Sequence, residues 1–386
     1  MRTKFNNTEQ IQLNIEWKGG SYFFKQEQKH CTLLMNKEGE QLTMKAAVFT
    51  GPYEFKICDR EKPKPGPKEV LIRIRAVGIC GSDIHPYMGD GIDRREPGII
   101  MGHEASGDVE EVGSEVTKWK PGDRVAINPQ INDETCPMCK KGLPHLCDHS
   151  LLIGSSMRGF LDGAMCEYLI MHEKQLYHLP DEVSYDHGTF LDPLGNAIHL
   201  INRGGVKLGD VVVIIGAGTI GLLAIQTAKL AGAVKVIAVD LSDYKLGIAK
   251  DVGADICLKS DDPEFMDKIK AETHGTGPDV VVEAVGIGVT YNLALNMCKK
   301  RGTVVALGFT KPELDIAIQQ IIYKELNVYG STGYADECET TLEFLKMKKV
   351  DIDKVITHRL PLEKVKEGFD LLCDKNSGAI KVILNP

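Results

Sequence analysis

The sequence predicts an α/β protein in two parts: a doubly wound, six-stranded parallel sheet and an irregular, mainly-β unit. Three observations point there. The chain has 386 residues, more than one domain usually holds. From Gly209 onward, apolar runs alternate six times with helix-like stretches, the rhythm of a parallel sheet with helices on both faces. From Met44 to about Pro180, short strand-like runs are instead broken by turn residues.

Residues 1–43 are polar and weakly periodic, and read as an amino-terminal extension or as the product of a start codon assigned too far upstream, with no catalytic role expected in either case. Met44 opens a first strand, Met-Lys-Ala-Ala-Val-Phe. Further strands are expected at 70–74, 107–112 and 124–127, with turns at Pro65-Gly66, Gly89-Asp90 and Pro121-Gly122-Asp123. In the second part the expected strands are 211–215, 236–239, 256–258, 280–282, 304–307 and 326–329. Helices are expected at 220–231, 244–252 and 264–272. The tail from about Glu337 returns to helix and short strands and is expected to fold back on the first part. Residues 211–228 carry no charge over 18 positions, close to the length of a membrane span. Gly216, Gly218 and Gly221 interrupt them, and a β-branched half precedes a helix-forming half, so strand, turn and helix explain the run better.

The net charge of −8, without a basic stripe, makes nucleic acid a poor partner, because phosphate neutralisation needs clustered Lys and Arg. Lys299-Lys300-Arg301 and residues 346–349 read as solvated surface. Eleven scattered cysteines, an odd number, argue against a disulfide framework and for a reducing, cytoplasmic setting. No apolar core of a secretory signal is visible in the first 43 residues, and no membrane span is expected.

Gly216-Ala217-Gly218-Thr219-Ile220-Gly221 follows an apolar run and opens a helical one, the context a Rossmann dinucleotide site requires. The glycines allow a tight turn, close approach of pyrophosphate and close packing of helix on strand, and the helix amino terminus meets the phosphate charge. Asp240 ends the second strand about 20 residues on, where a carboxylate accepts from the ribose hydroxyls and repels an extra phosphate. Leu241-Ser242-Asp243 supplies no Arg to offset such a phosphate, so NAD is expected rather than NADP. Lys245 is a candidate contact to the adenosine ribose, with a solvated lysine as the equal alternative.

Two clusters suggest metal. Cys80-Gly81-Ser82-Asp83-Ile84-His85 and Gly102-His103-Glu104 together offer a thiolate, imidazoles and carboxylates, a reasonable zinc set. An open zinc position lowers the pKa of an alcohol oxygen. Asp133-Glu134-Thr135-Cys136-Pro137-Met138-Cys139, followed by Cys147, suits a closed structural zinc loop. Only three cysteines are present there, so a fourth ligand must come from elsewhere, and three reduced bystanders are the alternative.

Taken in order, these motifs resemble the zinc-containing medium-chain dehydrogenase family over residues 44–386. The resemblance implies a GroES-like catalytic domain at 44–194 and 334–386, and an NAD-binding domain at 195–333. It implies Cys80, His103 and Glu104 as catalytic zinc ligands, with Glu104 also in the catalytic set. Asp192, in Phe190-Leu191-Asp192-Pro193-Leu194-Gly195-Asn196, would be a fourth ligand, direct or through water. Ser82 matches the hydroxyl that receives the alcohol proton, and His85 a later member of that relay. Glu167 resembles a position near the catalytic zinc. Asp133 stands where the family has a first loop cysteine, so a structural zinc at Asp133, Cys136, Cys139 and Cys147 is conditional on that carboxylate. The branch resembled is that of sorbitol, butanediol and threonine dehydrogenases, so the expected reaction links a secondary alcohol or its ketone to NAD. L-Threonine 3-dehydrogenase is the alternative within the enzyme class, and a non-catalytic dinucleotide sensor the alternative outside it. A homodimer or homotetramer is implied, paired through the strand near residues 326–329.

Overall fold

The structure, a computed structural model, describes residues 43–310 and 313–386. The expectation for residues 1–42 lies outside them. The chain opens with a hairpin of β1 (Thr43–Gly51) and β2 (Glu54–Glu61), followed by β3 (Glu69–Gly78) and the short helix α1 (Gly81–Tyr87). Next come β4 (Glu104–Val112), β5 (Arg124–Ile127), β6 (Gln130–Ile131), α2 (Pro137–Lys140), β7 (Leu151–Leu152), β8 (Tyr168–His172) and β9 (Leu176–His178). Helices α3 (Tyr185–Gly188) and α4 (Leu191–Gly204) lead out of this region.

The parallel sheet then runs β10 (Val211–Ile215), α5 (Thr219–Leu230), β11 (Lys235–Asp240), α6 (Asp243–Asp251), β12 (Ile256–Lys259) and α7 (Phe265–Glu272). It continues with β13 (Val280–Glu283), α8 (Gly288–Met297), β14 (Thr303–Ala306), α9 (Ile318–Lys324) and β15 (Asn327–Gly330). Each strand and helix expected in this part is present, with ends shifted by at most one residue. The six strands are parallel in the order β12-β11-β10-β13-β14-β15, the doubly wound arrangement that opens a crevice where the order reverses between β10 and β13.

Period-2 alternation divides β10 between two cores. Val212 and Ile214 pack with α4, α5 and α6 residues such as Leu194, Leu223 and Leu246. Val213 and Ile215 pack with Phe265 and Ile269 of α7 and Leu295 of α8. A strand buried on both faces reads as a continuous apolar run, which is why Val-Val-Val-Ile-Ile shows no polar alternation.

The tail supplies α10 (Cys338–Lys346), β16 (Ile356–Pro361), α11 (Val365–Cys373) and β17 (Lys381–Asn385). It returns to the first part, as expected: β17 pairs antiparallel with β3 in a seven-stranded mixed sheet whose main path is β16-β17-β3-β4-β5-β9. Helix α4 lies across the expected change of part at 194/195. It buries Leu191, Leu194, Ala197, Leu200 and Ile201 and ends at Gly205, whose φ of +62° is the left-handed conformation that glycine adopts without steric cost.

Candidate catalytic site and metal centres

Three local features bring the first cluster together. Cys80 is the N-cap of α1, in extended backbone, so its side chain sits where the chain leaves β3 and turns into the helix. Glu104 is the first residue of β4, and β4 pairs with β3 through Gly78↔Glu104. His103 precedes it and is buried. One ligand atom each from Cys80, His103 and Glu104 lie within 4.8 Å of one another. Glycine at 78 is required by space: a Cβ there would fall 2.2 Å from Glu104 Oε2.

Behind these donors stand charged residues that the sequence alone did not single out. Asp83, fully buried on α1, accepts from Arg95 Nε and Nη2, both at 2.9 Å. Its other oxygen lies 3.7 Å from His103 Nδ1, and neither atom has a hydrogen-bond partner among the described residues. Burial opposes a proton on His103, but the Asp83 and Cys80 charges outweigh it and raise the imidazole to about 10. A cation in place of that proton satisfies the same charges, so the donor set fits a zinc ion. Lys381 of β17 reaches in from the far end of the chain. Its buried ammonium pairs with Glu104 and donates to the Ile79 carbonyl at 3.1 Å.

Asp192, in the first turn of α4, borders this group without joining its three converging ligand atoms. Burial, then the charge of Glu104, push its carboxyl up to about 6 against the pull of His103. Tyr334 lies beside it, wholly buried, with its hydroxyl pKa raised by burial and by Asp192. The Glu167 carboxylate accepts the Lys45 backbone N–H at 2.7 Å. Ser82 and His85 both lie on α1, Ser82 exposed and His85 half-buried.

The dinucleotide turn has the geometry its glycines predict. Gly216 has φ +98°, and a Cβ on Gly221 would lie 1.7 Å from the Gly216 carbonyl oxygen. A Cβ on Gly218 would meet nothing within 4 Å, which leaves that face of the turn open. Thr219 Oγ1 donates to the Ile380 carbonyl at 3.0 Å, and Ile220 packs against the larger core. Asp240 is anchored by the N–H groups of Ala217 (2.8 Å) and Ser242 (2.9 Å), which hold its carboxylate at the lip of the turn. Lys245 lies in the first turn of α6, half-buried.

The second cluster also converges: ligand atoms of Asp133, Cys136, Cys139 and Cys147 lie within 4.8 Å of one another. Cys136 caps α2, and its sulfur accepts the Cys139 N–H at 3.5 Å, which lowers its thiol pKa. Burial and hydrogen bonding with its neighbours push Cys139 up to about 12. Four acidic groups this close cannot all ionise without a cation among them, so this set fits a metal as well.

Residues 66–181 match a family model described as an alcohol dehydrogenase GroES-like domain, and residues 219–347 one described as a zinc-binding dehydrogenase. The chain is 35% identical to sorbitol dehydrogenase of Pongo abelii over 343 residues, covering 87% of this chain and 94% of that protein. Among solved structures it resembles a zinc-binding dehydrogenase from Sinorhizobium meliloti bound to NADP, at 31% identity and a TM-score of 0.82, over 89% of this chain and 99% of that one. It resembles 2R,3R-butanediol dehydrogenase from Bacillus subtilis at 32% identity and a TM-score of 0.81, with the same coverage.

Proposed function

The chain belongs to the zinc-containing medium-chain dehydrogenase family, in its sorbitol-dehydrogenase-like branch, and from that premise we propose that it transfers hydride between a secondary alcohol and NAD. The substrate class is a polyol, vicinal diol or sugar alcohol, in keeping with the sorbitol and butanediol dehydrogenases it resembles. The observation that carries the reading is the convergence of Cys80, His103 and Glu104 within 4.8 Å, in a chain whose Asp240 completes the dinucleotide fingerprint.

Cys80, His103 and Glu104 would hold the catalytic zinc, with Asp192 contributing directly or through water. A zinc ion held there supplies Lewis acidity that lowers the pKa of an alcohol oxygen. Ser82 takes the alcohol proton and His85 passes it toward solvent; three positions apart on α1, they share one helix face. Lys381 pairs with Glu104 and fixes the direction of its carboxylate. Asp240, with Gly216, Gly218, Thr219, Ile220 and Gly221, binds the coenzyme, and Lys245 flanks its adenosine ribose. Coenzyme choice rests on this chain's own Asp240, since the Sinorhizobium meliloti relative carries NADP. Asp133, Cys136, Cys139 and Cys147 would hold a second, structural zinc.

A second copy of the chain is the expected partner. Strand β15 is an edge strand with all four residues exposed, a surface suited to pairing with its own counterpart. Among the described residues no helix is long and apolar enough to cross a membrane, and a cytoplasmic location is part of the proposal.

The test is a steady-state panel of sorbitol, butanediol, threonine and sugar-alcohol phosphates with NAD and with NADP, repeated after chelation. Turnover of a polyol or diol with NAD, abolished by chelator and restored by zinc, is expected. Turnover of threonine alone, or equal rates after full metal removal, would overturn the reading.

A further inference from the structure

His149 follows the metal loop by two residues and belongs to none of the motifs above. Its Nδ1 lies 2.5 Å from Asp133 Oδ2. The other carboxylate oxygen accepts the N–H groups of Thr135 (2.9 Å) and Cys136 (3.0 Å). Asp133 N donates in turn to Cys147 Sγ at 3.5 Å. Asp133 is therefore held from both sides, by the backbone of its own loop and by an imidazole beyond Cys147. Arg158 donates to the Cys147 carbonyl at 3.1 Å and to Ser150 Oγ, and so fastens the segment that carries His149.

We propose that His149 is a positioning residue that makes Asp133 a competent metal ligand, so that a three-thiolate, one-carboxylate loop retains zinc. This rests on the reading of that loop as a structural zinc site. The physical need is specific to this chain. A carboxylate oxygen is a harder donor than a thiolate and binds zinc about 0.1–0.3 Å closer than sulfur does. The two backbone N–H groups hold only one Asp133 oxygen; with His149 on the other, the carboxylate is fixed at both ends and keeps its direction, whereas one fixed at a single oxygen can swing. Outer partners of metal ligands are worth roughly 10–100-fold in metal affinity. His149 is 57% exposed, so its contact with Asp133 adds little to folding by itself, and orientation of the ligand is the effect left to it.

The experiment uses full-length holoprotein and reads zinc, with no reference to turnover. Zinc content is measured elementally, and the affinity of the loop by competition with a chromophoric chelator. The variants are His149→Ala, Asp133→Cys, and the two combined. His149→Ala is expected to weaken the loop zinc by about 10–100-fold while its thermal unfolding under saturating zinc stays near wild type. Asp133→Cys is expected to bind more tightly, and to bind equally well with or without His149, because a thiolate needs no such partner. Cobalt placed in the loop site, with zinc left at the Cys80 site, should show thiolate charge-transfer intensity for three sulfurs in both wild type and His149→Ala, and for four in Asp133→Cys. Loop affinity unchanged in His149→Ala overturns the proposal, as does an equal loss when His149 is removed from Asp133→Cys. A wild-type protein that binds only one zinc overturns the structural-zinc reading itself, and that result is separable because no variant is needed to see it.

Discussion

At the residue scale, the candidate catalytic cluster is governed by compensation of buried charge. Glu104 and Lys381 are both nearly inaccessible, and each is tolerable only because of the other. Replacing Lys381 by Met leaves Glu104 buried without a counter-charge, which is expected to destabilise the metal-free protein by about 3–5 kcal/mol in urea unfolding. Adding Glu104→Gln should recover part of that loss, because the uncompensated charge is gone. A Lys381→Met protein as stable as wild type would show that Glu104 finds another partner. Asp83 is a parallel case. Arg95 and His103 flank it in the fold, yet in the sequence it reads only as the middle of Cys-Gly-Ser-Asp-Ile-His.

At the element scale, the turn from β10 to α5 assigns different duties to its glycines. Gly221→Ala drives a Cβ into the Gly216 carbonyl, so the helix must move away from the strand. Loss of coenzyme binding is expected, together with destabilisation of about 1–3 kcal/mol. Gly218→Ala meets no protein atom within 4 Å. It is expected to leave thermal unfolding within roughly 0.5 kcal/mol of wild type while weakening NADH binding in a fluorescence titration, because its methyl occupies the side open to pyrophosphate. Equal effects of the two substitutions would contradict this division.

The contact between α4 and α10 makes a pH-dependent prediction. Burial alone would raise the Glu337 carboxyl, but the hydrogen bond with His199 and the Ala335 N–H outweigh it and hold it at about 2, below the ordinary value of 4.5. A depressed folded-state pKa contributes stability that is present above the unfolded value and lost as pH falls through the folded one. Stability attributable to Glu337 should therefore decline between about pH 4.5 and pH 2. Glu337→Gln should flatten that part of the profile in unfolding measured across the range.

At the scale of the whole molecule, two sheets share one chain that leaves the first, builds the second and returns. The return brings Lys381 against Glu104 and the Ile380 carbonyl against Thr219 of the dinucleotide turn, so the tail touches both candidate sites. The exposed edge of β15 carries the molecule's most direct prediction about assembly. Val328→Lys places a charge on that edge and is expected to shift sedimentation toward the single-chain species, with zinc content unchanged. A variant that sediments as wild type would place the interface elsewhere.

What was legible in the sequence was local. Helix and strand periods, the Gly216–Gly221 turn, Asp240 at a strand end and the closely spaced cysteines are each determined by residues within a few positions of one another. Turn conformation and the apolar period over such a span are set by the neighbouring residues themselves. Cys80, His103 and Glu104 were legible as metal-binding types, and their resemblance to a family supplied the grouping. What only the tertiary structure decided was which charges meet across long separations. Glu104 and Lys381 stand 277 residues apart, and only the antiparallel pairing of β17 with β3 brings them together. Asp192 comes within reach of the charges of His103 and Glu104 because α4 packs against β4. Asp133 is oriented by His149 because the loop closes on itself after Cys147. Periodicity records which face of an element is buried; sheet order and loop closure decide what that face meets.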